Sequence, residues 1–288
     1  MENTEKNKLE KSTLYLVGTP IGNLSDLSER AKKVLSEVDF IAAEDTRNSM
    51  KLCSILGIKK EFVSYYEHNK KSSGEKIISR LLSGENCALV TDAGLPAISD
   101  PGEDIVRLCA DAGITVSVIP GPCAAVSALA LSALSTSRFT FEGFLPAQKN
   151  ERKKRLSSLE KEERTMIFYE APHKLASTLT DMAEIFGDKR KISLCREITK
   201  LNEEVIRTTL RDAVNLYSEK EPRGEYVLII EGADEAGISA DSENPLLSLS
   251  PAEHVEHYIK SGLSKMDAIK AAAKDRKISK SEMYKLVL

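Results

Sequence analysis

Residues Thr91 to Gly102, TDAGLPAISDPG, place two aspartates, two prolines and two glycines directly behind a short apolar run, Cys87–Val90. The run reads as a buried strand. So many turn residues behind it hold the backbone in conformations that most side chains cannot reach. A chain accepts that constraint where its backbone must lie close to a ligand. A plain structural turn needs one Gly-Pro pair and leaves the other breakers unexplained. Four further segments also fall at the ends of strand candidates: VGTPIGN (17–23), AEDTRNS (43–49), IPGPCAA (119–125) and FYEAPHK (168–174). Small residues at a strand-to-helix junction leave backbone N–H groups available for an anion or a ligand's carboxylate. The first loop, with Pro20 in its middle, has neither GxGxxG spacing nor a following GK[ST], which disfavours nicotinamide and nucleoside triphosphate chemistry.

Charged residues cluster at the same junctions. Glu44 and Arg47 flank Asp45 and Thr46, either of which can cap a helix. Capping leaves Glu44 and Arg47 unexplained and makes them candidates for chemistry. Glu170 and His173 sit at another strand-to-helix turn; His173 has no second ligand nearby, so a metal role is disfavoured. Arg196, Lys200, Glu203 and Glu204 crowd the end of a further strand, as a solvated hairpin tip or as groups that position a substrate. Lys149, Arg152, Lys153, Lys154 and Arg155 put five positive charges within seven residues, against one Glu151. Such a stretch suits phosphate contacts, although charge runs on helices are commonly solvated faces.

The elements that must hold these residues alternate. Strand candidates Leu14–Val17, Phe40–Ala43, Phe62–Tyr65, Cys87–Val90 and Val116–Ile119 are short and apolar, as strands buried on both faces are. Amphipathic stretches lie between them, such as Ser28–Val38 and Asn48–Leu56, the latter closed by Gly57 at a C-cap position. The order predicts a parallel α/β sheet, whose ligands sit outside the carboxyl ends of the strands. A second block contains strands Phe139–Phe144, Thr165–Tyr169, Ile192–Arg196, Glu204–Thr209 and Tyr226–Ile230, with a hairpin and a mixed sheet expected. The expected division is a frayed, disordered tail (1–12), an N-terminal α/β domain (13–136), a second α/β domain (137–232), a linker rich in Gly, Ser and Asp (233–250), and a basic helical segment (251–288).

With 288 residues, 41% hydrophobic and 30% charged, the composition is that of a soluble globular protein. Its net charge of −3 hides asymmetry: residues 251–288 hold eight Lys or Arg against five Asp or Glu. In this segment Ser264–Ile269 followed by Ile278–Tyr284 has the rhythm of a helix-turn-helix, with Lys260, Lys265, Lys270, Lys274, Arg276, Lys277, Lys280 and Lys285 around it. His254 and His257, three apart, have the spacing of metal ligands on one helix face, with surface placement the simpler reading. The five cysteines form no CxxC, no secretory signal precedes them, and no apolar run is long enough to span a bilayer; reduced thiols in a cytoplasmic protein are expected.

Taken in order, LYLVGTPIGNLSDLSERA, AEDTRNS, LVTDAGLPAISDPG, IPGPCAAVSAL, FEGFLP, FYEAPHK, CREITKLNEEV and PRGEYVLIIEG resemble the tetrapyrrole methylase superfamily of S-adenosylmethionine-dependent methyltransferases. Within it they are most similar to the ribosomal branch, the small-subunit rRNA (cytidine-2'-O-)methyltransferases. The resemblance covers Leu14 to Gly232 almost without a gap. It implies two α/β domains with S-adenosylmethionine in the cleft between them, a homodimer, no metal, and small-subunit rRNA or the 30S subunit as substrate. It places Pro20 at the cleft floor, Asp92, Ala93 and Gly94 against the cofactor's amino acid portion or ribose, Cys123, Ala124 and Ala125 on the adenosine side, and Tyr169 on the second domain. Asp92 fits two roles equally, a carboxylate accepting from the cofactor's ammonium or hydroxyls, or an Asx-turn stabiliser. Lys200, Glu203 and Glu170 are candidates for the base that frees a ribose 2'-hydroxyl of its proton, and Arg196 with the Lys149–Arg155 run for RNA contact. Two other functions remain open: a tetrapyrrole methyltransferase of the same superfamily, and a non-catalytic RNA-binding or ribosome-assembly protein.

Overall fold

The computed structural model describes residues 8–233, 246, 249–276 and 278–287. Residues 1–7 of the expected tail, most of the expected linker and Lys277 lie outside the described residues. Residues through Gly232 form one compact unit, and the C-terminal segment forms a second.

The first half of the larger unit runs β1 (Thr13–Val17), α1 (Glu29–Glu37), β2 (Phe40–Ala43), α2 (Thr46–Ile55), β3 (Glu61–Ser64), α3 (Lys70–Leu82), β4 (Cys87–Val90), α4 (Glu103–Asp111), β5 (Thr115–Ile119) and α5 (Ala124–Leu131). Its five strands pair in parallel in the order β3-β2-β4-β1-β5. Both faces are covered, which is why β2 and β4 are apolar at every position. Ile41, Ala43, Ala88 and Val90 face α1 and α2 through Val34, Leu35 and Cys53. Phe40, Ala42, Cys87 and Leu89 face α3 and α4 through Ile77, Leu81, Ile105 and Cys109. Each large side chain so buried stabilises the fold by about 1.5–3 kcal/mol. The helices start where the sequence offers caps: Ser28 accepts from Ala31 N–H, and Asp45 from Arg47 N–H. Gly57, with φ +71°, follows α2 where a C-cap glycine belongs. Within the expected frayed tail, Leu9 packs against the core and Glu10 N–H donates to the Tyr15 hydroxyl.

The second half contains β6 (Phe139–Phe144), α6 (Lys149–Ser158), β7 (Thr165–Glu170), α7 (Pro172–Phe186), β8 (Lys191–Arg196), β9 (Glu204–Thr209), α8 (Leu210–Glu219) and β10 (Tyr226–Ile230). The sheet order is β6-β7-β10-β8-β9, with β6 and β7 parallel and the other pairs antiparallel, including the expected β8–β9 hairpin. The halves meet through α5, whose Ala125, Ala128 and Leu129 pack on Ile167, Cys195, Val227 and Ile229 of the second sheet. All five cysteines are free thiols.

One expected phosphate contact is an internal strut. Arg152 is 5% exposed and its guanidinium binds Asp181 of α7 at 2.7 Å. Helical periodicity turns it to the face of buried Leu156, four residues on, and away from solvent. Lys153 pairs with Glu184 and Arg155 with Glu142, while Lys149 and Lys154 point to solvent.

The C-terminal unit has helices α9 (Pro251–Lys260), α10 (Lys265–Asp275) and α11 (Lys280–Val287), closed on Val255, Ala268, Ile269, Ala272, Ala273 and Met283. His254 is fully buried, contrary to a surface placement. Its Nδ1 accepts from Arg276 and its Nε2 faces Asp275 at 3.2 Å, so both ring nitrogens are engaged within the unit. Arg276 is likewise spent inside, while Lys260, Lys265, Lys270, Lys274, Lys280 and Lys285 are exposed.

Two glycines of the first half lie backbone against backbone: a Cβ on Gly18 would meet Gly121 Cα at 2.7 Å. Gly18→Ala therefore costs about 1–3 kcal/mol in a denaturant titration, the range of overpacking substitutions. Gly57→Ala, with open space around it, costs about 1–2 kcal/mol from backbone conformation alone. Arg152→Ala strands the buried Asp181 carboxylate and costs about 3–5 kcal/mol, whereas Lys154→Ala stays within about 0.5 kcal/mol of the parent.

Candidate functional site

Three loops at the carboxyl ends of β1, β4 and β5 are stitched together by backbone. Gly18 N–H donates to Ile119 O at 3.1 Å. Thr19 and Gly94 exchange two hydrogen bonds, at 2.9 and 3.1 Å. The Thr19 hydroxyl adds a bond to Thr91 O at 3.2 Å. The contact between Gly18 and Gly121 allows this approach, and Gly94 adopts φ +89°, which its missing Cβ permits. The over-constrained stretch after β4 is thereby fixed as one wall of a cavity. Its strain extends beyond glycine: Ala97 and Ser99 have φ +69° and +64°. Left-handed non-glycine residues cost about 1–3 kcal/mol each and gather at functional sites.

The cavity, about 520 Å³, lies between the two halves of the larger unit. The first half supplies Ile21, Asp92, Ala93, Gly94, Leu95, Ile98, Ser99, Asp100, Cys123 and Ala124. The second supplies Phe144, Tyr169, Glu170, Ala171, Pro172, His173, Cys195, Glu197, Ile198, Lys200, Glu225, Tyr226 and Val227. Its volume suits one small ligand. Five carboxylates line it against one lysine and one histidine, a field that favours a cationic occupant.

The expected residues divide. Asp92, Ala93, Gly94, Cys123, Ala124 and Tyr169 all line the cavity. Pro20 and Ala125 stand behind the lining. Pro20 joins stitched Thr19 to Ile21, and Ala125 packs with the Tyr169 ring in the cluster between α5 and the second sheet, with the Tyr169 phenol nearby. Burial pushes that phenol up to about 12, so it stays a neutral donor. The Tyr169 ring meets Phe141 and Phe144 edge-on at 5.1 and 5.5 Å. A bulge in β6 between Phe141 and Gly143 leaves Phe144 59% exposed at the cavity. Asp92 accepts from Asn48 Nδ2 at 3.1 Å, a bond to α2 and not an Asx turn.

Among the base candidates, Lys200 lines the cavity but is pinned between Glu197 and Glu225 at 2.9 and 2.7 Å. Burial works against its charge, yet hydrogen bonds to Glu225 and Glu197 outweigh that and raise its pKa, so it stays an ammonium. Its stem lies across Gly22, where a Cβ would meet Lys200 Cγ at 2.4 Å, joining the first loop to the second half. Glu170 is buried, accepting from the Thr178 hydroxyl at 2.6 Å and from Ala171 N–H. Glu203 is outside the lining and caps Thr199 N–H at 2.7 Å, in a hairpin tip where Glu197 and Thr199 hold φ +51° and +69°. Arg196 is spent on Glu204 and the Arg223 carbonyl and braces the base of that hairpin. Arg47 folds back onto Asp45, whose carboxyl it holds down to about 2, and is not a lining residue. Glu44 reaches the site indirectly, accepting from the Thr91 hydroxyl at 3.2 Å, and burial raises its pKa.

Sequence reasoning passed over Asp100, Glu225 and Phe144. Asp100 reads in the sequence as half of an Asp-Pro turn, yet burial, with Glu44 and Asp92 nearby, pushes its carboxyl up to about 6. Among the described residues no group of three or more His, Cys, Asp or Glu is placed to hold a metal, and no helix is long and apolar enough to cross a membrane.

Known proteins carry the same pattern. The chain is 50% identical over 277 residues, 96% of its length and 94% of the relative's, to Ribosomal RNA small subunit methyltransferase I of Bacillus subtilis. The protein of that name from Synechocystis is 42% identical, covering 96% of this chain and 97% of that one. Among solved structures, uroporphyrin-III-C-methyltransferase from Thermus thermophilus superposes with a TM-score of 0.55 at 20% identity, over 80% of this chain and 98% of that one. A cobalt precorrin-4 methyltransferase gives 0.57 at 16%, over 76% and 95%. These two show the fold. The family described as Tetrapyrrole (Corrin/Porphyrin) Methylases matches residues 13–214, a span that holds the whole first sheet, the stitched loops and four of the five strands of the second sheet, and the chain belongs to the tetrapyrrole methylase family.

Proposed function

We propose that this protein transfers a methyl group from S-adenosylmethionine to the ribose 2'-oxygen of a cytidine in small-subunit (16S) ribosomal RNA. The observation that carries the reading is the extent of the identity to the rRNA methyltransferases. It runs through both halves of the cleft and the C-terminal helices, whereas the tetrapyrrole enzymes share the fold at 20% identity or less. S-adenosylmethionine fits the cavity's size and sign, since its sulfonium and ammonium suit a lining of five carboxylates. Asp92, Ala93 and Gly94 would hold it from one wall, and Cys123, Ala124 and Tyr169 from the other. When bound it supplies an electrophilic methyl group, and alignment of the incoming oxygen supplies most of the rate. Lys200, fixed as a cation by Glu197 and Glu225, would orient the incoming ribose. Phe144 offers a face on which a base can stack. Exposed Lys149 and Lys154, with Arg155 beside them and the lysines of the C-terminal helices, would take phosphates. The substrate, rRNA or the 30S subunit, places the protein in the cytoplasm, and a homodimer is part of the same reading.

The test supplies labelled S-adenosylmethionine with undermethylated 30S subunits, free rRNA and a tetrapyrrole precursor. Label appears in the RNA as 2'-O-methylcytidine; label only in the tetrapyrrole overturns the proposal. Calorimetry with S-adenosylmethionine separates an enzyme from a scaffold, which would show no binding heat. Lys200→Ala keeps cofactor affinity within about threefold and lowers turnover by at least about tenfold; unchanged turnover removes Lys200 from the mechanism. Lys149→Ala with Lys154→Ala raises KM for RNA and flattens its salt dependence, without changing cofactor affinity.

A further inference from the structure

The first half of the larger unit carries exposed aromatic and cationic side chains at the carboxyl ends of β2 and β3, outside the cavity. The turn behind β3 presents Tyr66, 40% exposed, and exposed His68. Their rings meet edge-to-face, with centroids 6.2 Å apart and planes at 79°. In that arrangement neither ring covers both faces of the other. Core packing does not account for them, since that part is taken by neighbouring Tyr65, 1% exposed among Ile77 and Leu81.

The turn is pinned by one side chain. Asn69 Oδ1 accepts from Tyr66 N–H at 2.8 Å, Asn69 Nδ2 donates to Ser64 O at 3.0 Å, and Asn69 N–H donates to Tyr66 O at 3.0 Å. It is also tied to the wall of the cavity. Lys70 binds Asp104 at 2.7 Å, in the first turn of α4, directly behind the loop that ends at Gly102. From the neighbouring strand end, Asn48 of α2 holds Asp92 in the same loop. Tyr66 thus leaves β3 two strand spacings, roughly 10 Å, from β4. Glu67, the acid of the turn, is neutralised by Lys70 at 2.8 Å. Lys51 and Lys71, on the helices that begin beside the turn, are exposed and carry no ion pair among the described residues.

We infer that the Tyr66–His68 turn is a second RNA site, a stacking platform for unpaired nucleotides that flank the one in the cavity. This rests on the function proposed above, whose RNA contacts lie on the second half and the C-terminal helices. Open aromatic faces with cations beside them take bases and phosphates of a single strand, without regard to sequence. A cytidine that enters the cavity leaves its stack, and rings fixed beforehand on the first half offset the stacking its neighbours lose. Tyr66 and His68 take bases, and Lys51 and Lys71 take phosphates. The strand then meets protein on both sides of the cleft, this turn on one and Phe144, Lys149 and Lys154 on the other.

The experiment compares the full chain with Y66A/H68A, Y66F and K51A/K71A. Four quantities are measured: steady-state methylation of 30S subunits, anisotropy of a labelled single-stranded oligocytidine at several salt concentrations, calorimetric affinity for S-adenosylmethionine, and sedimentation. Y66A/H68A weakens oligocytidine binding and raises KM for the subunits by at least about tenfold. Its kcat stays within about twofold and its cofactor affinity within about threefold of wild type. Y66F, which keeps the ring, stays within about threefold throughout. K51A/K71A flattens the slope of log affinity against log salt by about 1.4, the release expected from two cations on a single strand.

Oligocytidine affinity and KM of Y66A/H68A within about threefold of wild type overturn the platform. So does a matching loss of cofactor affinity, which makes the turn a support of the cavity wall. Weakened self-association with oligocytidine binding intact makes it a face between copies of the chain, and overturns it too. Y66F as impaired as Y66A/H68A replaces stacking by a hydroxyl contact. Should Y66A/H68A not fold, an unchanged salt slope in K51A/K71A overturns the site by itself. Absence of any transfer to RNA by the wild type overturns the proposed function instead, and the oligocytidine measurements still judge the platform.

Discussion

The cavity depends on one close approach, the backbone of the β1 loop lying on the loops that leave β4 and β5. Gly18 rests against Gly121, and the paired bonds between Thr19 and Gly94 lock the β4 loop in place. Here small residues at the contact let backbone bond to backbone. Backbone supplies most of the cohesion, with the Thr19 hydroxyl on Thr91 O as a further bond, and Asp92, Ser99, Asp100 and Cys123 face the cavity. The strain at Ala97 and Ser99 is sustained by the same lock.

The second half completes the cavity with its own constrained hairpin. Lys200 is held by two carboxylates from one side and by Gly22 from the other, so the cation and the first loop define each other's position. Tyr169 does the same on the opposite side, its ring packed against α5 in one apolar cluster. Because α5 also packs into the second sheet, movement of one half against the other would disturb both ties. The pKa pattern follows from this enclosure. Lys200 and Glu197 keep their charges by pairing, whereas Asp100 and Glu44, short of cations, are pushed toward their neutral forms.

Much of this is legible in the sequence because its signals are local. Strand ends, caps and glycine-proline loops depend on neighbours a few residues away, and Phe40–Ala43, Cys87–Val90, Phe139–Phe144, Glu204–Thr209 and Tyr226–Ile230 occur where apolar runs and turn residues put them. What stayed hidden depends on distant partners. Nothing near Asp100 in the chain announces Glu44, which arrives from β2 through Thr91. Arg152 looks like one cation among five until Asp181, 29 residues on, takes it inside. A local clue did exist there, since Arg152 shares a helical face with Leu156, the buried apolar residue of α6. Arg47 and Arg196 make the same point, each already paired in the fold: a charge in the sequence carries no mark of whether another side chain has claimed it.

The central claim is that the stitched loops and the Lys200 hairpin together form the cofactor wall. Hydrogen-exchange mass spectrometry of the full chain, with and without S-adenosylmethionine, tests it most directly. The account predicts slowed exchange in peptides covering residues 17–23, 91–102, 119–126 and 195–201, and little change on α3, α7 or the C-terminal helices. Protection centred on the C-terminal helices or the Lys149–Arg155 run, with the loops unchanged, would contradict it.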